Sequence, residues 1–211
     1  MGSLMDIRRR VLLFNGLPPK YQRTDFIQAQ GDRAVIDTGV PGDNDNLKFD
    51  FCFNVDRFIT YRGFFTNYES EAANCWRMSE ASSIAFLHTH NTRTGSSGTI
   101  NAGGSFANKK IFVTMDKLSA SVTVDGVTRT NAAPTAEGTT NNTTIYINSS
   151  RRYAQTRDDV IKWYYFKIFD NGRLIRNYVP CYRKSDNKVG FYDTVHGTFN
   201  PSTGTVQFTL S

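Results

Sequence analysis

The chain has 211 residues, a formal charge of +6, and contents of 39% hydrophobic and 13% aromatic residues. That is enough apolar material for one large domain, and the aromatic excess favours strands and argues against a disordered or fibrous chain. No apolar run approaches the ~20 residues of a membrane-crossing helix, Val11 to Phe14 is too short for a signal-peptide core, and basic residues scattered through polar turns speak against a nucleic-acid surface.

Residues 1–20 carry Arg8-Arg9-Arg10, a VLLF run and Pro18-Pro19, which predict a leader or attachment segment ending at a stiff linker. The folded domain is expected over residues 21–211. Tyr21 to Gln28 and Arg33 to Asp37 read as a first hairpin, closed by a Gly- and Pro-containing turn. Leu47, Phe49, Phe51, Phe53 and Val55 alternate with Lys48, Asp50, Cys52 and Asn54, the signature of a half-buried antiparallel strand.

Ile59 to Thr66, Trp76 to Met78 and Ile84 to Thr89 follow as shorter strands, and the Thr-, Ser- and Gly-rich stretch Asn91 to Gly104 reads as a long exposed loop. Lys110 to Met115 and Ala120 to Val124 come next, and Asp125-Gly126 joins the latter to Val127 to Thr130 as a hairpin. After a polar loop over Asn131 to Asn142 and a strand at Thr143 to Ile147, the chain reaches its most strand-rich stretch. Val160 to Phe169 and Leu174 to Tyr182 are joined at Asp170-Asn171-Gly172, a hairpin turn that tolerates positive φ. Some dozen strands and no required helix predict an all-β, two-sheet antiparallel jelly-roll sandwich.

Strict alternation along Val160 to Phe169 places Tyr164, Phe166 and Ile168 on one face and Trp163, Tyr165 and Lys167 on the other. If the first set faces the core, the second lines a concave face on which sugar rings could stack, unless a loop such as Asn131 to Asn142 covers it. Trp76 and Arg77 form a second aromatic and cationic pair, with ordinary burial as the competing reading. His88 and His90 share a strand face as a two-His metal site requires, and Asp43-Asn44-Asp45-Asn46 offers closely spaced oxygens to Ca²⁺ or simply makes a polar turn.

Glu69 and Glu71 are spaced i, i+2 but lie in a polar segment, so no catalytic acid pair is read and a non-enzymatic chain is expected. The cysteines, Cys52, Cys75 and Cys181, match no metal or redox spacing and read as buried or free thiols.

The segments LPPKYQRTDFIQAQGDRAVIDTGV (residues 17–40), KWYYFKIFDNGRLIRNYVPCYRKSDNKVGFYD (residues 162–193) and TVHGTFNPSTGTVQF (residues 194–208) resemble concanavalin A-like, laminin-G-like domains of phage and prophage genes in gut bacteria. The resemblance implies a curved two-sheet sandwich in a phage structural or host-contact protein, with a glycan or host surface as partner. It further implies a virion or post-lysis extracellular location, other virion proteins meeting the N-terminal segment, and a possible homo-oligomer. A purely structural decoration or assembly role without sugar binding is the alternative. The resemblance brings no catalytic residue and no required cofactor.

Overall fold

The alternation along Leu47 to Val55 is realised as the spine of the structure. The computed structural model describes residues 17–31, 33–59, 62–67, 74–93, 97–134, 141–149 and 159–210, apart from the side chains of 74, 92 and 93. Its strands are β1 (Tyr21–Arg23), β2 (Ile27–Gln30), β3 (Ile36–Pro41), β4 (Leu47–Val55), β5 (Gly63–Thr66), β6 (Asn74–Ser82), β7 (Ala85–Arg93) and β8 (Gly98–Asn101). They continue as β9 (Ile111–Met115), β10 (Ser119–Val124), β11 (Val127–Ala132), β12 (Thr144–Ile147), β13 (Val160–Asp170), β14 (Arg173–Arg183), β15 (Lys188–Asp193) and β16 (Thr198–Pro201).

Two antiparallel sheets face each other. The ten-stranded sheet runs β11-β10-β9-β4-β13-β14-β15-β16, with β1 added beside β14 and β2 beside β13; the six-stranded sheet runs β3-β12-β5-β6-β7-β8. The chain is therefore an all-β sandwich of jelly-roll type. Phe49 and Phe51 of β4 meet Phe65 of β5 at ring distances of 4.5 and 5.4 Å, and Phe49 meets Trp76 of β6 edge-on at 5.2 Å. Such contacts between inner faces bury large aromatic area and close the space between the sheets.

The two hairpins read from the sequence are present. Asn171 and Gly172 have φ of 48° and 77°, and Asp125 and Gly126 have 52° and 77°, so both turns hold positive φ at both central residues and match the right-handed twist of the flanking strands. The first expected hairpin is not present. The expected closing turn lies largely within β3 (Ile36–Pro41), and β1 pairs with β14, β2 with β13 and β3 with β12, because burying Ile27, Ala29, Ile36 and Val40 requires long-range partners. The stretch expected as one long loop from Asn91 to Gly104 instead ends β7 and contains β8. Leu17 packs with Tyr21, Cys181 and Tyr192 in a small cluster of its own.

Pro180 marks a seam. Pairing of β14 with β13 ends at Tyr178 and pairing with β1 begins at Cys181. The Pro180 carbonyl accepts from Thr24 N at 3.1 Å, so the proline nitrogen turns to the same seam, between the two ladders, where no donor is demanded of it.

Candidate functional site

A bulge decides which aromatic side chains reach the surface. Pairing of β13 with β4 passes from Trp163↔Phe53 to Tyr165↔Cys52, and the register shifts between them at Tyr164. One extra residue reverses the parity of everything before it. Trp163 therefore faces inward with Phe166 and Ile168, all fully buried, and its indole N–H donates to Asn148 Oδ1 at 3.2 Å. This corrects the strict alternation: Trp163 leaves the candidate surface, and Tyr164 joins Tyr165 and Lys167 on the outside.

Those outward side chains sit in a groove of about 760 Å³ on the outer face of the ten-stranded sheet. Tyr165 and Lys167 of β13, Asn177 and Val179 of β14, and Tyr192 of β15 line it, with Tyr164, Arg23, Leu17 and the Thr194 to Gly197 turn around them. Phenol rings, amide and hydroxyl groups and two permanent cations converge there, and no carboxylate is among the described residues that line it.

A carboxylate stands beside the lining, on the same outer face. Asp50 of β4 accepts from the Tyr165 hydroxyl at 2.8 Å and lies 3.4 Å from Lys167 Nζ, whose ammonium is also 4.8 Å from the Tyr165 ring. Burial and the Asp50 carboxylate both push the Tyr165 phenol up, since each disfavours a phenolate. Tyr165 is thereby a fixed, neutral ring, held at its hydroxyl, with the Lys167 ammonium over it and its side chain lining the groove.

The groove's rim is pinned by a buried acid. Asp193 Oδ1 accepts from the backbone N–H groups of Asn177 and Val195, both at 3.0 Å, and its Oδ2 accepts from His196 Nδ1 at 2.8 Å. Arg176 lies along the edge of the same imidazole, Nη1 2.9 Å from Nε2, and its Nε donates to the Thr38 carbonyl at 3.1 Å. On the far side of this wall a second cleft of about 500 Å³ is lined by Asp43, Asn44, Asp170 and Arg173 among others.

The remaining sequence-predicted residues are dispersed. Trp76 is fully buried against Phe49, and Arg77 points the other way, on the outside of the six-stranded sheet and remote from the groove. Trp76 is thus core, as alternation with buried Met78 requires. His88 and His90 do share a face, but both are buried and bonded to each other, Nδ1 to Nε2 at 2.6 Å, while His90 Nδ1 donates to the Asp116 carbonyl.

That separation is too short for a metal bonded to both nitrogens at about 2.0–2.1 Å each in tetrahedral geometry, so the pair is a hydrogen-bonded unit. Nor do the oxygens of the Asp43 to Asn46 turn converge on a cation. Asp43 lines the second cleft, Asn44 donates to Asp170 Oδ1 at 3.0 Å and Asp45 accepts from the Asn91 side chain. Among the described residues no group of three or more metal-ligating acid, His or Cys side chains occurs. Arg8, Arg9, Arg10, Glu69 and Glu71 lie outside the described residues.

The sequence reading missed Asn177, Val179, Tyr192 and Arg23. A signal for three of them existed, since Tyr178 and Phe191 are core residues and their strand neighbours must therefore point out.

No protein-family model matches the chain, and no curated protein matches it either. Among solved structures it is similar to a botulinum neurotoxin type C structure, described in terms of cell entry dependent upon interaction with two ganglioside molecules, at 14% identity and a TM-score of 0.42, covering 74% of this chain and 42% of that one. It is also similar to the binding domain of botulinum neurotoxin serotype G, at 14% identity and a TM-score of 0.45 over 75% of this chain and 43% of that one. A PL-14 alginate lyase from Aplysia kurodai is matched at 9% identity and a TM-score of 0.43, over 72% and 87%. The chain spans about two-fifths of the length of the two toxin chains.

Proposed function

We propose that this sandwich is a non-catalytic glycan-binding module and that it takes an acidic sugar in the groove over β13, β14 and β15. The observation that carries the reading is the composition of that groove. Tyr164 and Tyr165 offer aromatic surface to the C–H face of a sugar, Asn177 and Thr194 offer hydrogen bonds to its hydroxyls, and Lys167 and Arg23 offer charge to a carboxylate or sulfate.

Chemistry beyond binding finds little support in the same residues. Hydrolysis by a carboxylate pair needs two acids facing one space, and none is among the described residues that line the groove. The His196–Asp193 pair has the orientation of a general base, but the Arg176 guanidinium lies along the same imidazole edge, 3.1 Å from Nδ1 and 2.9 Å from Nε2. In the setting that the sequence resemblance implies, the ligand would be a host-surface polysaccharide met by a phage protein.

The test is a binding screen of the full chain against acidic polysaccharides (heparin, polygalacturonate, alginate) and neutral ones (dextran, mannan), with Tyr165→Ala and Lys167→Ala beside the wild type. Saturable binding to acidic chains, lost in both folded variants, is expected. Preference for neutral chains, or binding unchanged in both variants, would overturn the acidic-groove reading, and no binding at all would favour a purely structural protein. Incubation with the same polysaccharides should release neither reducing ends nor unsaturated uronates; release abolished by His196→Gln would make the chain an enzyme.

A further inference from the structure

The groove is one end of a longer surface. Lys167 pairs in register with Asn177 on one side and Asp50 on the other, Asp50 with Thr114, Thr114 with Ser121, and Ser121 with Thr130. At the usual separation of about 4.8 Å between strands, this row of polar side chains crosses β14, β13, β4, β9, β10 and β11 over roughly 24 Å.

A second row runs beside it. Tyr165 pairs with Cys52, Cys52 with Phe112, Phe112 with Thr123 and Thr123 with Thr128. Cys52 is buried between its neighbours, whereas Phe112 stands 44% exposed. A large aromatic ring left open in line with Tyr165 is not explained by the core. The hydroxyl pairs Ser121–Thr130 and Thr123–Thr128, each at 2.7 Å, fix the side chains at the far end of both rows.

Charge follows the same track. Lys110 Nζ stands 4.3 Å from the Tyr164 ring centre, Lys162 Nζ stands 4.7 Å from that of Phe26, and Phe26 packs edge-on against Tyr164 at 5.7 Å. Tyr164 also lines the groove, so these cations are continuous with it. Arg23, Lys110, Lys162 and Lys167 together outnumber Asp25 and Asp50, the carboxylates beside these rings.

We infer that the outer face from the groove to Phe112 is a single extended site for an acidic polysaccharide chain lying across the strands, with Phe112 as a distal subsite and Lys110, against the groove's Tyr164, between the two. The inference rests on the glycan-binding reading above and adds to it the ligand's form. A chain of repeating sugars presents ring faces and hydroxyls at intervals, as the two rows do, and spaced anions to the lysines. A single sugar or short end group would engage the groove alone.

The test measures affinity against length, using size-fractionated heparin oligosaccharides and, in parallel, oligogalacturonates, from disaccharide to decasaccharide. Affinity should climb from tetrasaccharide to octasaccharide. Phe112→Ala, at an exposed position, should lower octasaccharide affinity by about three- to tenfold and leave tetrasaccharide affinity unchanged, whereas Lys110→Ala, beside the groove's Tyr164, should weaken both lengths. Lys167→Ala should weaken both lengths.

Affinity that levels off at the tetrasaccharide, with Phe112→Ala altering no length, would overturn the extended site and leave the groove proposal standing. Failure of every length to bind, or indifference to Lys167→Ala, would overturn both. A single-stranded oligonucleotide of matching length that binds more tightly than either series, with the same dependence on Phe112 and Lys110, would show that the track serves nucleic acid and overturn the glycan assignment.

Discussion

The inner and outer faces of β13 carry similar residues to opposite ends. Inside, Trp163 and Phe166 are fully enclosed, and the one polar atom of the indole is met by Asn148, which also donates to the Gly31 and Ala34 carbonyls at 3.0 and 2.7 Å. Outside, Tyr165 is met by Asp50 in the same manner, yet its ring faces a groove. Both aromatics have a satisfied polar handle, so satisfaction does not tell structure from site. What differs is enclosure: the Trp163 side chain is fully buried between the sheets, whereas that of Tyr165 lines a groove on the outer face.

The largest effect that would sharpen this contrast is on stability. Trp163→Ala should cost about 3–5 kcal/mol, because a large enclosed side chain is lost, the space cannot fully collapse and Asn148 Oδ1 loses its donor. Tyr165→Ala, which removes a half-buried ring, should cost about 1–2 kcal/mol. Urea unfolding of both variants reads the difference, and a Tyr165→Ala cost equal to or above that of Trp163→Ala would place Tyr165 in the architecture rather than the site.

A smaller effect comes from the polar pair enclosed on the six-stranded sheet. With His90 Nδ1 donating to the Asp116 carbonyl, its Nε2 must accept from His88 Nδ1, and each ring is neutral. Burial and the neighbouring His90 lower the His88 pKa to about 4, and burial lowers that of His90, with the Asp116 carboxylate the charged group acting against the shift. A depressed histidine pKa means that the unfolded chain takes up protons first as pH falls. The stabilisation is thus complete above the ordinary value of about 6.5 and is lost as pH falls towards about 4. The His88 contribution is on the order of 3 kcal/mol. Unfolding free energies of wild type and His88→Gln at pH 7.5, 5.5 and 4 test it: the wild type should lose more than the variant over that range, and parallel losses would remove His88 as the cause.

How far these features could be read from the chain follows from their locality. The hairpins at Asn171-Gly172 and Asp125-Gly126 and the strand Leu47 to Val55 were legible, because turn chemistry and two-residue alternation are local. The bulge at Tyr164 was not. In the run Trp163-Tyr164-Tyr165-Phe166 every residue suits either face, so the sequence pattern holds no parity marker, and only pairing with Phe53 and Cys52 assigns it. Lys167 and Tyr165 were placed on the outer face correctly for the segment after the bulge, and Trp163 before it was not. Asn177 and Tyr192 reach the groove through the register of consecutive strands, β13 with β14 (shifted between Ile168 and Phe169) and β14 with β15, which alternation alone does not supply. The two histidines carried the spacing of metal ligands and became each other's partner, an outcome fixed by burial and not by spacing.

The smallest effect concerns the Asp50 contact itself, and it separates the two reasons for the raised Tyr165 phenol. Asp50→Asn preserves the shape of the side chain and a hydrogen-bond acceptor for the Tyr165 hydroxyl but removes the charge, so the stability change should stay within about 1 kcal/mol. The phenol should then ionise at lower pH than in the wild type while remaining above its ordinary value, since burial, the larger cause, is untouched. Ultraviolet difference titration reads this, with Tyr165→Phe assigning the transition among the other tyrosines. A phenol that does not move in Asp50→Asn would assign the shift to burial alone. A phenol that falls to its ordinary value would mean that the charge holds it, and that Tyr165 is more open to water than its place in the groove wall requires. In either case removing the carboxylate leaves Lys167 without its internal counter-charge, so the variant should bind acidic chains more tightly than the wild type, in the opposite direction to Lys167→Ala.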